Sequence, residues 1–140
     1  MLLYSFLISQ GLTVKERKNI MKLLTKEICK EIPALYANED KKPEDVKIAV
    51  KFFCPWGSWS WFATEACGLK NGEWKSLQEV DWALCEDVKF FGFVAGDFPE
   101  LGYFLLSELL SVTGPMGLHI ERDMYFGSKT LAQVMEKAHA

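Results

Sequence analysis

Five acids could supply the carboxylates of a metal-dependent hydrolase. Glu65, Asp97, Glu100, Glu121 and Asp123 all fall at the ends of alternating apolar stretches or among turn residues. Two or three carboxylates brought together could hold a magnesium ion and drive phosphodiester hydrolysis. Their spacing matches no metal-ligand motif, and the same residues serve equally well to cap helices, stabilise turns or pair with lysines. Arg122, the one arginine outside residues 1–20, sits between two of them in Glu121-Arg122-Asp123. An arginine so placed makes a bidentate, partly buried ion pair or binds an anion in a cleft. If the segment is extended, Glu121 and Asp123 share one side and Arg122 points to the other. Arg122 must then find its acid elsewhere. Glu100 or Asp97 is the expected partner, which would place the two segments side by side.

Aromatic residues offer a second chemistry. Trp56, Trp59 and Trp61 follow two lysines, Lys47 and Lys51, and exposed rings beside cations stack on single-stranded bases. The competing reading is that the rings are core, packed against Ile48, Val50 and Phe52, because a small domain needs their apolar area. Tyr103 lies in Gly96–Phe104, which mixes glycine, proline, aromatics and acids as irregular presenting segments do. Arg122, Trp56 and Tyr103 are therefore the candidate binding residues. His119 has no partner histidine or cysteine at ligand spacing, and the four cysteines (Cys29, Cys54, Cys67, Cys85) form no C-x-x-C pair. No metal site is expected, and the thiols read as reduced and mostly buried. A P-loop, G-x-G-x-x-G and G-x-S-x-G are all missing, so no cofactor is expected; magnesium enters only under the hydrolase reading.

The elements that must position these residues follow from pattern. Lys22–Glu31 has helical character, with Thr25 as N-cap and Pro33 closing it. Val46–Phe52 and Trp59–Glu65 alternate around a Cys54–Ser58 turn and read as a β-hairpin. Gly68–Gly72 reads as a further turn. Glu73–Asp87 is ambiguous: Trp74, Leu77, Val80 and Leu84 fit helical spacing and Trp82 does not. Lys89–Ala95 reads as a strand whose internal glycine marks a bulge. Gly102–Leu106 reads as a strand running into a short helix capped by Ser107 and stopped by Gly114-Pro115. Ile120–Phe126 is extended or irregular. Thr130 and Gln133 form a capping box, and Leu131, Val134, Met135 and Ala138 share one helical face. The expected architecture is a small α+β domain. An antiparallel sheet of three to five strands, led by the hairpin, carries helices on one face.

The 140 residues suffice for one domain with its own core. A hydrophobic fraction of 49% and an aromatic fraction of 14% argue against disorder. The net charge is −3, and residues 1–20 carry three cations against one acid, so the remainder is more acidic than the whole. An acidic body with no basic run after Lys22 argues against broad phosphate-backbone binding, though not against a local basic patch. The apolar stretch within Met1–Gln10 is too short to span a membrane and lacks the flanks of a signal peptide, so the expected location is the cytoplasm.

Four stretches carry a family resemblance. They are Val50-Lys51-Phe52-Phe53 with Pro55 and Gly57, Trp61–Glu65, Phe98–Tyr103, and Gly114-Pro115 with Gly117, Leu118 and Ile120–Asp123. From about Met21 to Ala138 the chain resembles the bacterial family catalogued as domain of unknown function 2958. The resemblance implies an origin in mobile elements such as plasmids and phages, and it carries no activity with it. Residues 1–20 lie outside it, leaving 21–140 as the domain. Lys15-Glu16-Arg17 can be encoded as a purine-rich ribosome-binding site, so a start at Met21 is expected. The expected function is that of a non-enzymatic accessory protein that binds a protein or nucleoprotein partner. A metal-dependent nuclease or related hydrolase built on the five acids is the alternative.

Overall fold

The computed structural model describes residues 23–138. Within them the chain forms helix α1 (Lys26–Glu31), strands β1 (Val50–Phe53), β2 (Ser60–Lys70), β3 (Glu73–Ser76), β4 (Asp87–Ala95) and β5 (Glu100–Leu105), helix α2 (Leu106–Ser111), strand β6 (Glu121–Arg122) and helix α3 (Leu131–Ala138). The six strands make one antiparallel sheet in the order β5-β4-β2-β1-β6, with β3 also paired to β2. This is the expected α+β architecture with one strand more. The expected coverage on one face is corrected, because helices pack on both.

The reason lies in β2. Trp61 and Phe62 are consecutive and therefore point to opposite faces. On the Trp61 face, Val50, Phe52, Phe90 and Phe104 pack with Cys29 of α1 and with Leu106 and Leu109 of α2. On the Phe62 face, Val46, Ile48 and Phe93 pack with Leu131 and Val134 of α3. Trp61 is only 9% exposed, so the ring is core, as the apolar reading of the hairpin expected. Trp59 leans on it at 5.9 Å between ring centroids.

The hairpin forms as expected, with Phe52 opposite Trp61 and Phe53 opposite Ser60. Its second strand outruns the expectation and continues to Lys70. The turn that follows is only Asn71-Gly72, both left-handed at φ 53° and 79°, the backbone that two-residue hairpins favour. Glu73–Asp87 is therefore no helix: it supplies β3 and a single 3₁₀ turn at Trp82–Leu84. Its helix-like spacing came from apolar residues that serve separate elements.

A bulge interrupts β2. Ala63 faces Gly92 and Glu65 faces Phe91, so Thr64 is the extra residue, and its hydroxyl donates to the Phe91 carbonyl at 3.1 Å. The glycine read as a bulge mark does lie there, but the bulge is on the opposite strand. A methyl group at Gly92 would run into the Phe62 carbonyl oxygen, so the two strands cross too closely for a side chain.

The helix ends are set by side chains. Thr25 Oγ1 accepts from Ile28 N at 3.1 Å. Thr130 N donates to Gln133 Oε1 at 2.9 Å, and Gln133 N donates to Thr130 Oγ1 at 3.2 Å, completing the expected capping box. Ser107 does not cap α2, as it was expected to do. Glu108 reaches back to accept from Leu105 N at 2.9 Å, and Ser107 is bound from outside by Asp87, which accepts from its N at 3.1 Å and from its hydroxyl at 2.5 Å.

Candidate functional site

The best-constructed surface feature is a tyrosine-lined cleft on the Phe62 face, beside the outer strand β5. It has a volume of about 420 Å³ and is lined by Tyr36, Glu65, Phe91, Leu101, Tyr103 and Leu131 among others. The bulge places Glu65 there. Were Thr64 in regular alternation, with no bulge, Glu65 would share a face with Ala63 and enter the main core. Instead its carboxylate, 5% exposed, accepts from Tyr36 N at 2.7 Å and from Asn38 N at 3.2 Å. Those bonds hold Tyr36 in a left-handed conformation, φ 73°, that few residues other than glycine adopt. The result is a tyrosine presented to solvent, 64% exposed, from a backbone clamped by a buried acid.

Tyr103 stands across the cleft, 52% exposed, edge-on to Phe91 at 5.1 Å. The Tyr36 hydroxyl beside it holds the Tyr103 phenol above its usual range, with some desolvation and the charges of Glu65 and Glu39 adding to the effect. Lys89 extends the strip, its ammonium 4.5 Å from the centre of Trp74 and 5.9 Å from that of Tyr103. Leu101 and Tyr103 alternate along β5 onto this face, and Phe98, 85% exposed, stands just before the strand.

The five acids do not converge. Glu65 is committed to backbone amides. Asp97 lies exposed in the β4–β5 turn, Glu100 opens β5 on one side of the sheet, and Glu121 lies in β6 on the other side. Asp123 pairs with Lys51 at 3.5 Å. Among the described residues no group of three or more His, Cys, Asp or Glu side chains could hold a metal ion.

The expected pairing of Arg122 with Glu100 or Asp97 is corrected. Arg122 is registered opposite Phe52 in β1, whereas Glu100 is opposite Val94 in β4, with β2 between those two strands. Neither acid makes an ion pair with Arg122 among the described residues. The alternation did hold. Arg122 shares the Phe52 side, while Glu121 is opposite Phe53 and Asp123 reaches Lys51 on the other side. Trp56, another candidate binding residue, is half-buried and packs so closely that a methyl on Gly114 would touch its ring. His119 is half-buried, with no hydrogen-bond partner for Nδ1 among the described residues. All four thiols are free; burial pushes Cys29 up to about 12, with Asp81 and Cys85 adding to the shift.

Tyr36 was not among the candidates. Its only signal in the sequence is an aromatic in the polar stretch after Pro33; the strain that singles it out comes from Glu65, far along the chain.

The described residues thus define a small α+β protein with a six-stranded antiparallel sheet covered on both faces, in which none of the helices is long and apolar enough to cross a membrane. The chain belongs to the family described as "Protein of unknown function (DUF2958)", whose model matches residues 23–140. Searches among curated proteins and among solved structures found no match. The first 22 residues precede the family match, and the expected start at Met21 falls outside the described residues.

Proposed function

We propose that this chain is a non-enzymatic accessory protein of a bacterial mobile element that acts in the cytoplasm by binding a protein or nucleoprotein partner. Its docking edge is β5, where an extended segment of the partner adds as a further strand. One observation carries this reading: among the described residues β5 pairs only with β4, and it presents Leu101 and Tyr103, alternately spaced, beside the tyrosine cleft. Edge strands are ordinarily blunted by lysine, internal proline or a bulge. β5 carries none of these between Glu100 and Leu105. Strand addition draws affinity from the main chain and specificity from pockets for alternate side chains, and both are present here. The dispersal of the five acids favours binding over the hydrolase alternative.

The test is capture from the native host. Wild-type protein retains a partner, and Tyr103→Ala and Leu101→Asp each lose it while keeping the wild-type unfolding midpoint. Amides of β5 gain protection from hydrogen exchange when the partner binds. Equal capture by all three proteins, or protection elsewhere with none at β5, overturns the edge assignment.

A further inference from the structure

A second cleft lies on the same face, beyond α3, and no part of the β5 reading uses it. It is larger, about 580 Å³, within the range of small-molecule sites. Its chemistry is opposite in sign to the acidic body of the protein. Lys51, Lys129 and Lys137 line it against one acid, Asp123. The Lys51 ammonium lies 5.5 Å from the centre of Phe62 and 5.7 Å from that of Phe126; the Lys129 ammonium lies 5.3 Å from the centre of Phe126. Two cations thus lean on one ring. Asp123 offsets only Lys51, and among the described residues no carboxylate lies within 4.0 Å of Lys129 or Lys137.

Snorkelling stems over apolar surface account for one lysine on one ring. They do not account for three cations around an open cleft in a chain of net negative charge. Nor is the wall a loose loop. Asp123 N donates to the Lys51 carbonyl at 2.9 Å, and Asp123 Oδ1 accepts from Tyr125 N at 2.9 Å. Ile48 N donates to the Lys129 carbonyl at 2.9 Å. Asp123 therefore steadies Lys51 and also sets the turn that puts Tyr125, a residue 90% exposed, on the rim. Ser60, Ser128 and Gln133 add neutral hydrogen-bonding groups.

Cations, an exposed aromatic face and neutral polar groups in one cleft match the parts of a nucleotide: phosphate, base and sugar. We infer that this cleft binds a nucleotide unit. Lys129 and Lys137 take the phosphate, Tyr125 stacks on the base, and Lys51 with Asp123 forms the fixed inner wall. The unit is a free mononucleotide or one residue of a single strand. Stacking platforms flanked by cations bind single strands with little sequence preference.

The experiment titrates the full chain with AMP by calorimetry and with a fluorescein-labelled ten-residue oligothymidylate by anisotropy, at low salt. Wild type binds at least one of them. Saturation by AMP as tight as by the oligomer identifies a free nucleotide as the ligand; binding of the oligomer alone identifies a strand. Tyr125→Ala weakens binding on the order of tenfold, the low to middle part of the range for loss of one stacked base. Lys129→Glu with Lys137→Glu abolishes it, and all variants keep the wild-type unfolding midpoint, since the changed side chains are solvent-facing or at the cleft rim. No binding of either probe at millimolar concentration overturns the inference. So does polyglutamate binding as tightly as the oligomer with Tyr125→Ala unaffected, because the cleft would then be a charge patch only. The β5 variants Tyr103→Ala and Leu101→Asp leave nucleotide binding unchanged, so this site and the partner edge fail or stand separately.

Discussion

At the scale of residues, Glu65 does the most with one side chain. It lies against the sheet, away from bulk water, and spends both oxygens on backbone amides of a turn it does not belong to. Glu65→Ala leaves two donors without acceptors and removes the clamp on a left-handed Tyr36. The expected cost is about 1–3 kcal/mol in urea unfolding. Glu65→Gln keeps one acceptor oxygen and should cost less. A second residue-scale prediction concerns pH. Cys29 is pushed from an ordinary 9.0 to about 12, so the folded state favours the protonated thiol. The stabilisation is complete below pH 9 and is lost as pH rises toward 12. Urea midpoints at neutral pH and midway between those two values should fall for wild type and fall less for Cys29→Ala. An equal fall would assign the alkaline loss to other groups.

At the scale of elements, the crossing at the bulge leaves no room for a side chain at Gly92. Gly92→Ala sets a methyl against the Phe62 carbonyl, which belongs to backbone and cannot swing aside. A loss of about 3 kcal/mol is expected, at the upper end of ordinary overpacking, read as a lowered midpoint in thermal or urea unfolding. Much of this level was legible in the sequence. The Thr130–Gln133 box named α3 because both halves of a capping box lie within one turn, and the hairpin announced itself by alternation around Cys54–Ser58. The bulge was not legible in its place, because Thr64 is an ordinary strand residue and only the facing Gly92 betrays it. β3 was obscured because Trp74, Leu77 and Val80 imitate a helical stripe. Of the candidate site residues, Tyr103 lines the tyrosine cleft and Glu65 builds it, but Tyr36 was missed. The lysine cleft draws on residues from Lys51 to Ala138, and no local window could have joined them.

At the scale of the whole molecule, the two cores are unequal. The Trp61 side holds most of the large buried rings, Phe52 and Phe90 among them. The Phe62 side closes on Val46, Ile48, Phe93, Leu131 and Val134. α3 is short and rests on that smaller core, so it should open locally without unfolding the sheet. Hydrogen exchange at equilibrium should find α3 amides opening at a lower free energy than amides of β2 and β4. Identical values would mean that the molecule opens only as one unit. Such opening would also loosen the wall that carries Gln133 and Lys137, and bound nucleotide should slow it.

The extra residue in β2 also has a consequence for heredity. On either side of Thr64 the strand keeps a strict two-residue beat, and the bulge is the one place where that beat skips. Removing Thr64 would erase the skip and leave Glu65 opposite Phe91 and Ala66 opposite Phe90, as they already are. An added codon there must instead widen the bulge or slide the rest of the strand out of its pairing with β4. The Gly57–Ser58 loop a few residues earlier faces no such constraint. In a library of one-codon changes, insertions should therefore survive in that loop and vanish around the bulge, whereas a deletion of Thr64 should survive where deletions at Phe90 or Phe91 on the facing strand do not.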